Sequence, residues 1–330
     1  MCENKETGEQ LVLRLYGGKT ATTNSILKSG DISAEVLVFY SMAKSRVGPE
    51  LYGVFAGGRL EQMITGADII LPENRKDRSL MNVLALKLAR FHATRLPFSQ
   101  TPIEPLPVFG KRIISIWDDV MVASKQIPIK TQNEQEKCDI VFACDIQPLI
   151  QWFIDTQPKV GGKVVLTHGD LNPNNILVKK DASEAEDRVV LLDFEYSGYN
   201  YRGHDIGSLL HWLCFDMKAF ASGEYVEAEY PDEQERRLFI RVYLSHLQTI
   251  SDYDFNENID NEDQKLLEAE FYGPVHDFLL MEILLTDYES PSSLFRYFPV
   301  HPLCFLGRAV QRMREGRTLV TEILTKRGLL

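Results

Sequence analysis

Long apolar runs are missing from this 330-residue sequence. None approaches the roughly 20 residues that cross a bilayer, so no membrane span is expected. The opening, Met1 to Gln10, is polar where a signal peptide would be apolar. Cysteine is sparse: Cys2, Cys138, Cys144, Cys214 and Cys304 are odd in number and include no C-x-x-C pair. That spacing fits neither a disulfide framework nor a zinc site, and it predicts a reducing, cytoplasmic location. Basic charge is in deficit, with 36 Lys and Arg against 47 Asp and Glu for a net charge of −11. A general grip on nucleic acid is thereby excluded, while a local nucleotide pocket is not. Low-complexity segments are absent too. What remains is an ordinary globular composition, 44% hydrophobic and 25% charged, in a chain long enough for two lobes.

Leu11 to Tyr16 reads as a strand closed by Gly17-Gly18. Ser33 to Ser45 has helical spacing, with Asp31 or Ser33 as N-cap. Leu51 to Phe55 and Arg59 to Ile64 read as two strands joined at Gly57-Gly58. A long helix is expected over Asp77 to Arg95, a surface loop over Pro97 to Pro107, and helices over Ile113 to Lys125 and Asp139 to Asp155. After Asp205 the pattern is almost wholly helical. The expected organisation is α+β and bilobal: a small β-rich lobe over residues 1–65 and a larger, mainly helical lobe over 66–330.

The richest segment is Thr167-His168-Gly169-Asp170-Leu171-Asn172-Pro173-Asn174-Asn175, followed by Val189-Val190-Leu191-Leu192-Asp193-Phe194-Glu195. Charged residues Lys179 to Arg188 lie between them and read as the loop of a hairpin joining Ile176–Lys179 to Val189–Leu192. In an antiparallel pair, the residue entering the first strand and the one leaving the second sit about 5 Å apart, so Asn175 and Asp193 are expected together. An amide oxygen and a carboxylate are hard ligands suited to Mg²⁺. Asp170 lies in the preceding loop, within reach of a substrate hydroxyl. His-x-Asp, four spacers, Asn, a hairpin and Asp-Phe form a phosphoryl-transfer constellation of base and two metal ligands. Each position alone is equally a turn or strand-end residue; the ordered set is what points to catalysis. His168 reads as a packed support.

The run Leu192-Asp193-Phe194-Glu195-Tyr196-Ser197-Gly198-Tyr199-Asn200-Tyr201-Arg202-Gly203-His204-Asp205-Ile206-Gly207 resembles choline and ethanolamine kinases, as do LVLRLYG from Leu11, GPELYGVF from Gly48 and GRLEQMI from Gly58. The resemblance implies a protein-kinase-like fold and transfer of the γ-phosphoryl of ATP, with Mg²⁺, to choline or ethanolamine, the first step of phospholipid head-group synthesis. It implies that Arg14 contacts nucleotide phosphates with Glu35 as its ion-pair partner. Gln62, Met63 and Ile64 would then form the hinge for adenine. Asp205 reads as an N-cap of Ile206 to Cys214 that braces the catalytic loop.

Two departures from the family stand out. Only ten residues precede Leu11, where members carry a Gly-rich strand pair over the phosphates, so that lid is expected to be missing. In the amine pocket, tryptophans of the family fall on Leu279 and Glu282, and an acidic residue falls on Trp212. Asp170, Asn172, Tyr196, Trp212 and Glu282 are the substrate candidates. Loss of cation–π faces would favour ethanolamine over choline, although Trp212 is equally readable as helix core. Kinases of other hydroxylated amines and a pseudokinase that serves as a binding partner are the competing functions, and homodimerisation stays open.

Overall fold

The computed structural model describes residues 2–3, 8, 10–16, 32–102, 106–286 and 299–330, without the side chains at 3, 32, 33, 123, 277 and 279–286. The turn expected at Gly17-Gly18 and the Asp31 cap lie outside the described residues, as do the side chains of Ser33, Leu279 and Glu282.

The described residues fall into two units. The first comprises 1–103, 164–202 and 232–262, and the second 104–163, 203–231 and 263–330. Residue 65, where the lobe boundary is expected, lies within the first of these units.

In the first unit, β1 (Cys2–Glu3), β2 (Gln10–Leu15), β3 (Leu51–Phe55) and β4 (Gly58–Gln62) form a four-stranded sheet in the order β1-β2-β4-β3. Its pairing is antiparallel, with Arg14 directly opposite Arg59. Directly opposed residues share a face, so the register sets two arginines side by side. Helix α1 (Ile32–Lys44) buries Val38, Phe39 and Met42. Beyond β4, β5 (Ala67–Ile69) pairs with a later strand, β7 (Ile176–Lys179), which in turn pairs with β8 (Val189–Leu191). A two-stranded sheet of β6 (Val164–Thr167) and β9 (Gly198–Tyr201) flanks the loop between them. Helix α2 (Arg78–Ala93) starts where Asp77 accepts the Leu80 amide at 3.0 Å. It packs on α8 (Glu233–Thr249), whose first turn is closed by an Asp232/Glu235 capping box.

The second unit is helical: α3 (Leu106–Ser124), α4 (Gln132–Phe142), α5 (Ile146–Val160), α6 (Gly203–Trp212), α7 (Met217–Ala221), α9 (Glu262–Thr286, all but its first residue) and α10 (Leu303–Lys326). Three expectations change here, and two of the changes share a cause. The helix expected from Asp139 to Asp155 is two helices, broken at Ala143–Asp145, and α3 starts at Leu106 rather than Ile113. Proline lacks the N–H that a helix interior needs, yet it costs nothing in a first turn, where that N–H has no partner. Pro148 and Pro107 occupy such first-turn positions in α5 and α3. Asp205 is likewise inside the first turn of α6 and is not its N-cap, because the helix begins two residues earlier at Gly203.

Among the described residues, no helix is long and apolar enough to cross a membrane.

Candidate active site

The loop after β6 is locked from both sides. Thr167 Oγ1 donates to the Gly198 carbonyl at 2.8 Å, and Ser197 Oγ donates to the His168 carbonyl at 3.2 Å. His168 is fully buried, and its Nε2 meets the Leu192 carbonyl at 2.8 Å while the Asp170 amide reaches its Nδ1 at 3.2 Å. A carbonyl only accepts, so Nε2 carries the proton and Nδ1 is the acceptor. His168 therefore ties the Asp170 loop to the strand that leads into Asp193. Gly169, with φ +80°, makes the turn between them.

Asp170 is held at both oxygens. Asn172 Nδ2 donates to Oδ1 at 2.8 Å, and Asn175 Nδ2 donates to Oδ2 and to the Asp170 carbonyl, each at 2.9 Å. With its amide nitrogen spent on Asp170, Asn175 has its oxygen left for a cation. Asn172 also caps the short turn Pro173–Asn175 by accepting the Asn174 amide. The expected hairpin forms, with a register one step off: the Leu192 amide donates to the Asn175 carbonyl at 2.9 Å. Leu192 is thus opposite Asn175, and Asp193 follows directly after it.

Asp193 has left-handed backbone angles, φ 60° and ψ 74°, which a non-glycine residue adopts only when its surroundings enforce them. The enforcing group is Phe194. Its fully buried ring sits 5.7 Å from Phe39 of α1, 5.8 Å from Phe91 of α2 and 5.5 Å from His168, centroid to centroid. With Phe194 pinned inward, the Asp193 carboxylate turns out to Arg14, whose Nη2 donates to Oδ1 at 3.1 Å and to Glu195 Oε2 at 3.4 Å. Burial, and then the charge of Asp193, push the Glu195 carboxyl above its ordinary pKa.

The implied Arg14–Glu35 ion pair is not formed. Glu35 Oε1 accepts Arg59 Nη1 at 2.5 Å instead. Arg59 is buried to 1% exposure, and it also bonds Glu61 Oε1 at 2.5 Å and the Tyr16 hydroxyl at 3.0 Å. Its guanidinium lies 4.6 Å from the Phe39 ring centre. Burial acts to lower the Arg59 pKa, but the partners Glu35, Glu61 and Tyr16 outweigh it and hold the pKa above the ordinary arginine value. The reason is the register. Two arginines opposite one another on one face divide the acids between them: Arg59 takes Glu35 and Glu61, and Arg14 takes Asp193 and Glu195. Arg59 was the residue that sequence reasoning passed over: the Gly57-Gly58 turn joins β3 to β4, whereas the register that opposes the two arginines is between β2 and β4.

The remaining candidates are spread along the chain. Gln62 ends β4, exchanging bonds with the Glu50 backbone at 2.9 and 3.2 Å, and Met63 and Ile64 follow outside any strand. Tyr196 is half-buried beside the Asp170 loop, its carbonyl facing Gly169. Trp212 is a buried residue of the second unit, with Phe215 and Phe305 each 5.3 Å from its ring centre. That is core packing.

The long motif ending in Asn200-Tyr201-Arg202-Gly203 also has a structural meaning. Arg202 is fully buried and paired with the equally buried Asp260, with further bonds to the Tyr253 hydroxyl at 2.7 Å and the Ile259 carbonyl at 2.9 Å. It anchors the end of β9, and thereby the strand that braces Thr167.

A protein of Rattus norvegicus named choline/ethanolamine kinase is 30% identical over 271 residues, which is 82% of this chain and 64% of that protein. One of Homo sapiens with the same name is 28% identical over 277 residues, 83% of this chain and 64% of that protein. The chain thus spans a little under two thirds of the length of these relatives. Among solved structures, a choline kinase of Cryptosporidium parvum Iowa II aligns with a TM-score of 0.60 at 17% identity, covering 97% of this chain and 84% of that one. An ethanolamine kinase of Plasmodium vivax gives 0.59 at 17%, covering 95% and 77%. These likenesses establish the protein-kinase-like fold. The choline/ethanolamine kinase family pattern matches residues 1–288, and the chain belongs to that family.

Proposed function

We propose that this chain transfers the γ-phosphoryl group of ATP to the hydroxyl of choline or ethanolamine, in the cytosol. The observation that carries the reading is the double fastening of Asp170 by Asn172 and Asn175, one bond on each carboxylate oxygen. It fixes a base in direction while leaving acceptor capacity, since a carboxylate has about four acceptor sites. Asp170 accepts the proton as the substrate oxygen bonds to the γ-phosphorus and the bond to the bridging oxygen of ADP breaks.

Asn175 and Asp193 are the residues that would hold Mg²⁺. The donor set fits: an amide oxygen and a carboxylate are hard ligands, and two of them suffice for an ion that takes its other ligands from phosphates and water. When bound, the metal would neutralise phosphate charge. Arg14 contributes a half-exposed guanidinium at the same place. The backbone beyond Gln62, at Met63 and Ile64, is the proposed adenine contact, and Glu35 serves through Arg59. Tyr196, half-buried beside Gly169, stays as a candidate for the amine end, and Trp212, packed in its own unit's core, does not.

A coupled ADP-release assay with choline, ethanolamine and monomethylethanolamine tests this. The expected outcome is saturable, Mg²⁺-dependent ADP release with one of them. No amine-dependent release, together with no shift in melting on adding Mg²⁺ and ATP, would overturn the reading.

A further inference from the structure

A second chemically distinctive cluster lies within the helical unit. Cys138 of α4 and Cys304 of α10 are both fully buried. Their thiols are hydrogen-bonded to one another. Cys138 Sγ is also 3.3 Å from His301 Nδ1. The His301 ring is oriented from its other side, where Nε2 meets the Ser124 carbonyl at 3.3 Å, so Nδ1 is the acceptor, shared by the Leu303 amide at 3.2 Å and the Cys138 sulfur. The His301 amide donates to Glu134 Oε1 at 2.9 Å, and Glu134 Oε2 accepts the Lys130 and Thr131 amides. An imidazole base is thus held against one thiol of a pair.

The backbone brings the two cysteines close for a separate reason. One turn along α10 from Cys304, a Cβ placed on Gly307 would lie 2.4 Å from the carbonyl oxygen of Lys137, the neighbour of Cys138. Only glycine allows α4 and α10 to approach so closely. A disulfide needs Cα atoms within roughly 7 Å, and a near backbone contact one turn from Cys304 and next to Cys138 favours that approach.

We propose that Cys138 and Cys304 are a redox pair that closes to a disulfide and cross-links α4 to α10. The co-reactant is a small peroxide, which matches a pair that larger oxidants cannot reach. Cys138 gives its proton to His301 and attacks one peroxide oxygen; the O–O bond breaks, and the departing hydroxide takes a proton to leave as water. The resulting sulfenic acid is attacked by Cys304, the S–S bond forms, and a second water leaves with the Cys304 proton. In sum, two thiols and one hydrogen peroxide give one disulfide and two waters. The environments assign these roles: the bond from Cys304, and then His301, bring the Cys138 thiol down to about 6 against the effect of burial. The bond to Cys138 and burial hold the Cys304 thiol up. A metal is the other use of such residues, but no group of three or more His, Cys, Asp or Glu among the described residues has metal-binding geometry.

The experiment treats the purified full chain with hydrogen peroxide, blocks remaining thiols with iodoacetamide, and maps peptides by mass spectrometry with and without reductant. The expected result is a Cys138–Cys304 peptide pair two hydrogens lighter than the free thiols and released by dithiothreitol. Closing a loop of about half the chain should also raise the melting temperature by about 5 °C. Cys138→Ala and Cys304→Ala should each abolish both effects, and His301→Gln should slow formation about tenfold or more. Recovery of both cysteines alkylated, under conditions that oxidise the more exposed Cys2, overturns the proposal without recourse to any variant. So does zinc bound stoichiometrically by the untreated protein and released by peroxide, which would make the cluster a metal site.

Discussion

Replacing Arg59 by alanine should destabilise the first unit more than any other single change on the four-stranded sheet. The side chain is buried and bonded to Glu35, Glu61 and the Tyr16 hydroxyl. Glu61 is itself buried. Removing one member of a buried ionic cluster leaves the others as uncompensated charges, at a typical cost of about 3 to 5 kcal/mol. Loss of the stacking on Phe39 adds up to about 1 kcal/mol. In thermal denaturation this corresponds to a fall of about 4 to 17 °C, the smaller figure if all 330 residues melt together and the larger if the first unit melts alone. Arg59→Lys keeps the charge but not the planar fork that serves three partners, so it should recover only part of the loss. Glu35→Gln, at the half-buried end of the cluster, should cost less than Arg59→Ala. An Arg59→Ala variant melting within about 1 °C of the parent would show that the cluster is solvated and that the argument from burial is wrong.

Asp170→Asn should lower kcat by about 10² to 10⁴, the usual contribution of a base or positioning group, with a stability loss of about 1 kcal/mol or less in melting because one of its two acceptor oxygens becomes a donor; a near-native kcat would remove Asp170 from the mechanism. Gly169→Ala forces a Cβ to within 2.4 Å of the Tyr196 carbonyl oxygen at a residue with φ +80°, so about 2 to 5 kcal/mol of stability should be lost, seen as a lower urea midpoint. Lys87 is buried with its ammonium on the Arg46 carbonyl, and burial brings its pKa from 10.5 to about 8. Between these two values the unfolded chain binds the extra proton, so stability should rise with pH across that window, by up to about 3 kcal/mol, and stay level below it. Lys87→Met should flatten that rise in urea titrations run from pH 7.5 to 10.5, and an unaltered slope would mean that Lys87 is solvated in the folded state.

The arrangement of the loop after β6 was legible in sequence because it is local. Asp170, Asn172 and Asn175 lie within one short turn, and the hairpin that brings Asp193 back is announced by its own apolar strands. Glu35 and Arg59 were not legible in the same way. Their pairing depends on which arginine of two opposed strands a helix happens to face, and strand register is set by pairing across a sheet. Trp212 shows a similar limit. Its spacing on α6 suits either a pocket or a core, and only the rings of Phe215 and Phe305 decide for packing. Proline was the other missed signal: Pro107 was read as the end of a surface loop and Pro148 as interior to one helix, whereas both stand in helix first turns.

The pairing of Arg14 with Asp193 has a consequence for ligand binding. On the proposed function the arginine belongs to polyphosphate and the carboxylate to a divalent cation, yet each occupies the other at 3.1 Å. Either ligand must displace one half of that pair, and doing so releases the other half for the second ligand. Nucleotide and metal affinities are then thermodynamically linked, and the linkage is reciprocal: the factor by which Mg²⁺ tightens ATP equals the factor by which ATP tightens Mg²⁺. An Arg14→Gln variant, in which Asp193 starts unpaired, should bind the metal alone more readily and show a smaller factor in both directions.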